Sequence, residues 1–214
     1  MKKIVCFILT VSLAITIFLV SAESSDLYLL WDIPFGTSAG DVKQYVELYK
    51  GMKCSRTTHA PTALTPSYES IESENDSDLF LYGYPFHFEF TEIPEAFTLT
   101  FNISGSINEL KDAADMLLSG LKNKYGAPDS AYLDDGQSDA SGRRILKDIT
   151  AEDKSPSAMI SDAMKSGTSS DAISLYIRFK NIIFQCSVAD PQIITIRFGN
   201  NSEDLFGLPG SDTF

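Results

Sequence analysis

Gly36-Thr37-Ser38-Ala39-Gly40 spells G-x-S-x-G, the spacing at which serine hydrolases raise a nucleophile on a sharp strand-to-helix turn. A triad built on Ser38 needs an acid and then a histidine further along, and the chain offers Asp76 or Asp78 followed by His87. Such an elbow also needs a parallel sheet around it. Little strand-forming sequence precedes Ser38, and the strands after it read as hairpins. The same letters make a helix start. Ser38-Ala39-Gly40-Asp41 is an S-x-x-D capping box, in which the serine oxygen accepts from an orphan amide and Asp41 adds negative charge where the helix dipole favours it. The capping role is the expectation here, and neither Ser38 nor His87 is assigned to catalysis.

Other reactive groups are sparse. His59 and His87 are the only histidines. His87 stands two residues from Glu89 on one strand face. Such a pair is suited to a metal or to proton transfer, but an ordinary polar sheet face is the expectation here. The run "ESIESENDSD" invites calcium, but a calcium loop of the EF-hand type wants Gly at position six and Glu at twelve. Counting from Glu74 finds Leu79 and Pro85 there, and counting from Asp76 finds Leu81 and His87. "DDGQSD" fails in the same way. No phosphate-binding glycine loop, H-E-x-x-H or zinc spacing occurs, and no cofactor or metal is expected. Asn75, Asn102 and Asn200 open N-x-S sequons.

The elements that position these groups follow from periodicity. Val42, Tyr45, Val46 and Tyr49 repeat as one helix face over residues 39–50, and Gly51 stops that helix. Residues 52–78 read as a long polar loop of the mobile kind. In residues 79–90, Phe80, Tyr82, Tyr84, Phe86, Phe88 and Phe90 alternate onto one face of an extended strand, with a bend at Gly83 and Pro85. Phe97, Leu99, Phe101 and Ile103 alternate in the next run, so the two form an antiparallel hairpin with an aromatic-rich buried face. Ser106-Ile107-Asn108-Glu109 is a capping box for a second helix, which carries Leu110, Ala114, Leu117, Leu118 and Leu121 and stops at Gly126 and Pro128. Beyond it, residues 127–170 read as two short strands around a mobile polar tip, then a short helix from Pro156 to Lys165. "ISLYIRF", "IIFQCSV" and "IITIRF" complete a meander, and the tail from residue 200 is loose. Grouped strands with helices set apart predict an α+β fold. An antiparallel sheet of about five to six strands is covered on one face by two main helices, in a single domain over 23–199.

The first residues predict location. Lys2 and Lys3, an uncharged apolar run from Ile4 to Val20, and Val20-Ser21-Ala22 make a secretory signal over residues 1–22, cleaved after Ala22. Retention as an anchor is the alternative, since the run is near the lower limit for spanning a bilayer. The chain bears 17 Lys and Arg against 29 Asp and Glu, a formal charge of −12, and losing the two leader lysines takes it to −14. A charge of that sign repels nucleic-acid backbones and anionic membrane surfaces. Cys54 and Cys186 remain after the leader. An exported compartment permits a disulfide between them, and burial as free thiols is the competing expectation.

"IPFGTSAGDV" (33–42) and "LLSGLKNKYGAP" (117–128) resemble pieces of uncharacterised exported bacterial proteins that have a PFGTS-x-x-[DE]-V helix start and a KYG-x-P helix end. In outline the chain is similar to the small α+β domains of outer-membrane assembly lipoproteins and β-lactamase inhibitors. It lacks their lipid-attachment cysteine and adds a meander, so no partner and no functional residue is carried over. The expected function is an exported, non-enzymatic module that binds a protein or another envelope component. The surfaces proposed are the 52–78 segment and the polar faces bearing Thr98, Thr100, Tyr176 and Arg178. A secreted serine hydrolase and a calcium-dependent adhesive module are the alternatives.

Overall fold

The computed structural model describes residues 33–63, 66–74, 79–93, 95–142, 144–152 and 154–199. The expected signal sequence, Asp76, Asp78 and the tail from residue 200 lie outside the described residues. The chain runs α1 (Ala39–Lys50), β1 (Cys54–His59), β2 (Tyr68–Ser73), β3 (Phe80–Leu81), β4 (Tyr84–Pro85), β5 (His87–Glu92), β6 (Glu95–Ile103), α2 (Ile107–Tyr125), β7 (Ser130–Ser138), β8 (Arg144–Asp148), α3 (Pro156–Lys165), β9 (Ile173–Phe179), β10 (Ile182–Ser187) and β11 (Gln192–Gly199).

The fold is α+β with an antiparallel sheet, as the grouping of strands implies, but the sheet is larger than expected. Nine strands lie in the order β1-β2-β5-β6-β11-β10-β9-β7-β8, and β3 and β4 form a separate two-stranded arm. The additional strands come mainly from residues 52–78, where β1 and β2 pair from Cys54↔Ser73 to His59↔Tyr68 in place of a polar loop. Their composition hid them. β1 is a sheet edge, so Ser55, Arg56, Thr57 and Thr58 carry no apolar alternation, and the only aliphatic residue of β2 is Ile71. The segment at 134–170 is likewise built from β7, β8 and α3. Three α-helices are present among the described residues, the two main ones expected and the short one expected over Pro156–Lys165.

The two halves of the chain meet at the centre, where β6 pairs β11 from Ala96↔Gly199 to Ile103↔Gln192. On the covered face Phe88, Phe90, Phe97, Leu99 and Phe101 join Ile177, Phe184, Ile194 and Ile196, with the helix residues Val42, Val46, Leu110, Leu117 and Ile160, in one buried cluster. Phe97 lies 5.3 Å from Phe88 and 6.1 Å from Phe90 between ring centroids. The opposite face is a polar lattice. One row aligns Thr98, Arg197, Ile183 and Arg178, and the next aligns Thr100, Thr195, Gln185 and Tyr176.

Cys54 and Cys186 are both buried and free. They stand on β1 and β10, five strand positions apart, which at a strand spacing near 4.8 Å is roughly 24 Å. That separation is far beyond the reach of a disulfide. Burial raises both thiols, to about 11 for Cys54 and about 12 for Cys186. Neither is a nucleophile near neutral pH.

The start of α1 is fixed from several directions. Ser38 Oγ accepts from the Asp41 amide at 3.2 Å and donates to Asp41 Oδ2 at 2.8 Å. Gly36, at φ 83°, donates its amide to Glu95 Oε1 at 2.6 Å, and Ala39 donates to Glu92 Oε1 at 2.8 Å. Glu92 and Glu95 are directly opposed across the β5–β6 hairpin, a pairing that like charges normally disfavour. The amides of Gly36, in the turn before α1, and Ala39, its first residue, offset that repulsion. Burial, and secondarily the charge of Glu92, raise the Glu95 carboxyl above its usual range, against the lowering effect of the Gly36 bond. A carboxyl that holds its proton more tightly when folded contributes stability at acid pH, and that contribution is lost as pH rises through and above the ordinary glutamate value. Glu95→Gln is therefore expected to match the native protein at pH 4 and to equal or exceed it at pH 7. Much of the group is in solvent, so the gain should stay within about 0.5 kcal/mol. Urea titrations at the two pH values measure it.

The second capping box differs from expectation. Ser106 has the extended backbone of an N-cap, but its side chain makes no capping bond. Glu109 instead folds back over Gly105, so closely that a Cβ there would lie 1.1 Å from Glu109 Oε2.

Candidate functional site

Ser38 is occupied as a cap, and the groups its hydroxyl bonds are both on Asp41. Ser38→Ala is expected to lower stability by about 1 kcal/mol, read as a lowered midpoint in thermal or urea denaturation. His87 lies elsewhere, on β5. Its Nδ1 is 3.0 Å from Ser73 Oγ, and its Nε2 is 3.9 Å from Glu72 Oε2. Ser73 Oγ also accepts the Phe88 amide at 3.1 Å, so this serine ties β2 to β5. His59 stacks on Tyr68 with centroids 4.4 Å apart and bonds Ser70 Oγ through Nε2 at 2.8 Å. The two histidines are not brought together. Among the described residues no three His, Cys, Asp or Glu side chains form a metal-holding group. The acids of "DDGQSD" serve local turns: Asp134 takes the Gly136 amide, Asp135 the Gln137 amide and Asp139 the Ser141 amide. Thr98, Thr100, Tyr176 and Arg178 do share one face, the polar side of the sheet, but all four are half-buried there.

The larger of two concave features among the described residues is formed by the arm and α2. Phe80 pairs Pro85 and Leu81 pairs Tyr84, leaving Tyr82-Gly83 as a two-residue turn. Both turn residues have positive φ, 53° and 86°, the signature of the primed type I′ turn. Glycine accepts that conformation readily, whereas a bulky tyrosine does so at a cost of about 1–2 kcal/mol. A second unfavourable choice faces it. Gly120 sits inside α2, where glycine costs about 1 kcal/mol relative to alanine. One contact accounts for both, because a Cβ on Gly120 would lie 2.5 Å from the Tyr82 hydroxyl oxygen and 2.8–2.9 Å from its ring carbons. The ring occupies the space that the missing side chain leaves. Two choices that local propensity disfavours are thus linked through one long-range contact.

The arm and helix enclose a groove of about 660 Å³, open to solvent. That volume falls within the range of ligand sites. Tyr82 and Tyr84 form one wall. The other is a stripe along α2, Asp112, Met116, Ser119 and Asn123, with Asp115 at its base. Asp115 accepts the Ser157 amide at 2.9 Å and its hydroxyl at 2.5 Å, so it caps α3 while lending charge to the groove. Asp112 makes no hydrogen bond or ion pair with the described residues. No lysine or arginine lines the groove among the described residues. Of the groove residues, Tyr82 and Met116 are 54% and 45% exposed.

A smaller cleft of about 160 Å³ lies between β7, β8 and α3, over Leu133, Ile149 and Met159. Its rim is already neutralised. Lys154 Nζ reaches Glu152 Oε2 at 3.0 Å and Asp162 Oδ2 at 3.1 Å, and these bonds hold the lysine above its usual value.

Comparison with protein-family models, curated proteins and solved structures finds no match for this chain. The groove was not legible in sequence. Reading 79–90 as one strand places Phe80 and Tyr82 on the buried face, whereas the Tyr82-Gly83 turn exposes both. The signal that could have found it was the Tyr-Gly pair itself, together with the polar spacing Asp112, Met116, Ser119 and Asn123 beside the apolar face of α2.

Proposed function

We propose that the protein is an exported, non-enzymatic binding module of the cell envelope or extracellular space, and that the groove between the β3–β4 arm and α2 is its binding surface. The observation that carries this reading is the Tyr82–Gly120 contact. A tyrosine at positive φ meets a glycine inside α2, which places an aromatic side chain beside carboxylates that no described lysine or arginine neutralises. The commitment of the Ser38 hydroxyl to α1 weakens the case for hydrolysis, and the use of Asp134, Asp135 and Asp139 as turn acceptors weakens that for calcium at "DDGQSD".

Benzoyl-phenylalanine placed at Met116, and separately at the exposed Leu48 of α1, tests the reading in the cells that make the protein. Ultraviolet light should give a discrete covalent adduct from position 116 that is absent from position 48 and lost when Tyr82→Ser is added. Equal adducts from both positions, or none from 116, would rule the groove out.

A further inference from the structure

We infer that the groove takes the guanidinium of an arginine presented by an exposed segment of a partner protein; this rests on the groove being the binding surface. Four features converge on that chemistry. Tyr82 and Tyr84 line the groove, and an aromatic ring is a favourable partner for a flat cation, a guanidinium above all. Asp112 presents a carboxylate that no described residue neutralises, and Asp115 adds a second negative charge below it. A carboxylate of this kind accepts the two parallel N–H groups of arginine, a geometry that lysine cannot reproduce. Asn123 and Ser119 supply further oxygen acceptors for the remaining donors. The open form of the groove suits a side chain delivered on a protein segment, and the exposed Met116 in its wall would be covered by the backbone that delivers it.

Fluorescein-labelled glycine–arginine–glycine–arginine–glycine is the probe, compared with versions carrying lysine or the neutral, nearly isosteric citrulline. Anisotropy at about 0.15 M salt suppresses long-range attraction to the acidic chain. The arginine peptide should bind at least about tenfold more tightly than the citrulline peptide, a difference of one charged contact, and more tightly than the lysine peptide. Asp112→Asn and Tyr82→Leu should each weaken it, while Glu47→Gln, which removes the same charge from α1, should not. Thermal melts confirm that each variant is folded. If citrulline binds as well as arginine but Tyr82→Leu still weakens binding, the groove stands and the arginine inference falls. The inference also falls if no peptide binds or if lysine equals arginine. If the arginine peptide binds and neither groove substitution affects it, or Glu47→Gln weakens it as much as Asp112→Asn, the groove reading itself is overturned.

Discussion

Phe97→Ala should destabilise the protein by about 3–5 kcal/mol, the range for removing a fully buried aromatic ring from a packed core. Phe97 is completely buried on β6, directly opposite Phe90 on one side and Phe198 on the other. β6 is also the strand through which the two halves of the sheet join. The substitution therefore removes packing from both halves at once, and the surrounding strands, fixed by register on each side, have little freedom to close the void. Phe97→Leu keeps most of the volume and should cost about 1–1.5 kcal/mol. Urea unfolding measures both. A loss under about 1.5 kcal/mol for the alanine variant would mean that the joint between β6 and β11 is not the centre of the core.

The second large effect is expected at Asp134. Its side chain is 1% exposed, and its two oxygens are spent on Arg144 Nη1 at 2.6 Å and the Gly136 amide at 2.9 Å. These bonds sit where the β7–β8 register shifts, between Asp134 and Ser138. Gly136, at φ 78°, passes close to Ala172 there, so a Cβ at 136 would lie 2.4 Å from the alanine methyl. Arg144→Ala strands a buried carboxylate with one remaining partner. Breaking a fully buried pair costs about 3–5 kcal/mol. The Arg144 side chain is 65% exposed, so water relieves part of that penalty and about 2 kcal/mol is expected here. Asp134→Asn keeps an acceptor for Gly136 without the stranded charge and should cost less, about 1 kcal/mol. A double-mutant cycle isolates the pair, and Arg144→Ala within about 0.5 kcal/mol of native would show that the arginine is dispensable.

The pattern of these sites explains what the sequence made legible. The helices α1, α2 and α3, the β5–β6 hairpin and the β9–β11 meander announce themselves because each buries a periodic apolar face, from Val42 and Val46 to Ile194, Ile196 and Phe198. Ser38 reads correctly as a cap because a cap is a local arrangement of neighbouring residues. β1 and β2 were hidden because an edge strand has few apolar contacts to record in its composition. Ser106 misled because the motif is present but Glu109 lies over Gly105. The Ser38 and His87 pair was separated by topology, since one starts a helix and the other belongs to β5. The groove depends on a long-range fit between Tyr82 and Gly120, residues 38 positions apart, and no local pattern connects them. The strand expected over 79–90 holds from His87 onward with Phe88 and Phe90 buried, while its first part folds into the Tyr82-Gly83 hairpin and exposes Phe80 and Tyr82.

The most direct measurement of the groove's role is a map of backbone amide shifts in isotope-labelled protein as the unlabelled arginine pentapeptide is added. The account predicts that the perturbed amides concentrate at residues 82–84 of the arm and along 112–123 of α2. Shifts centred on Thr98, Thr100, Tyr176 and Arg178 across the polar sheet face, or spread evenly over the acidic surface, would contradict it.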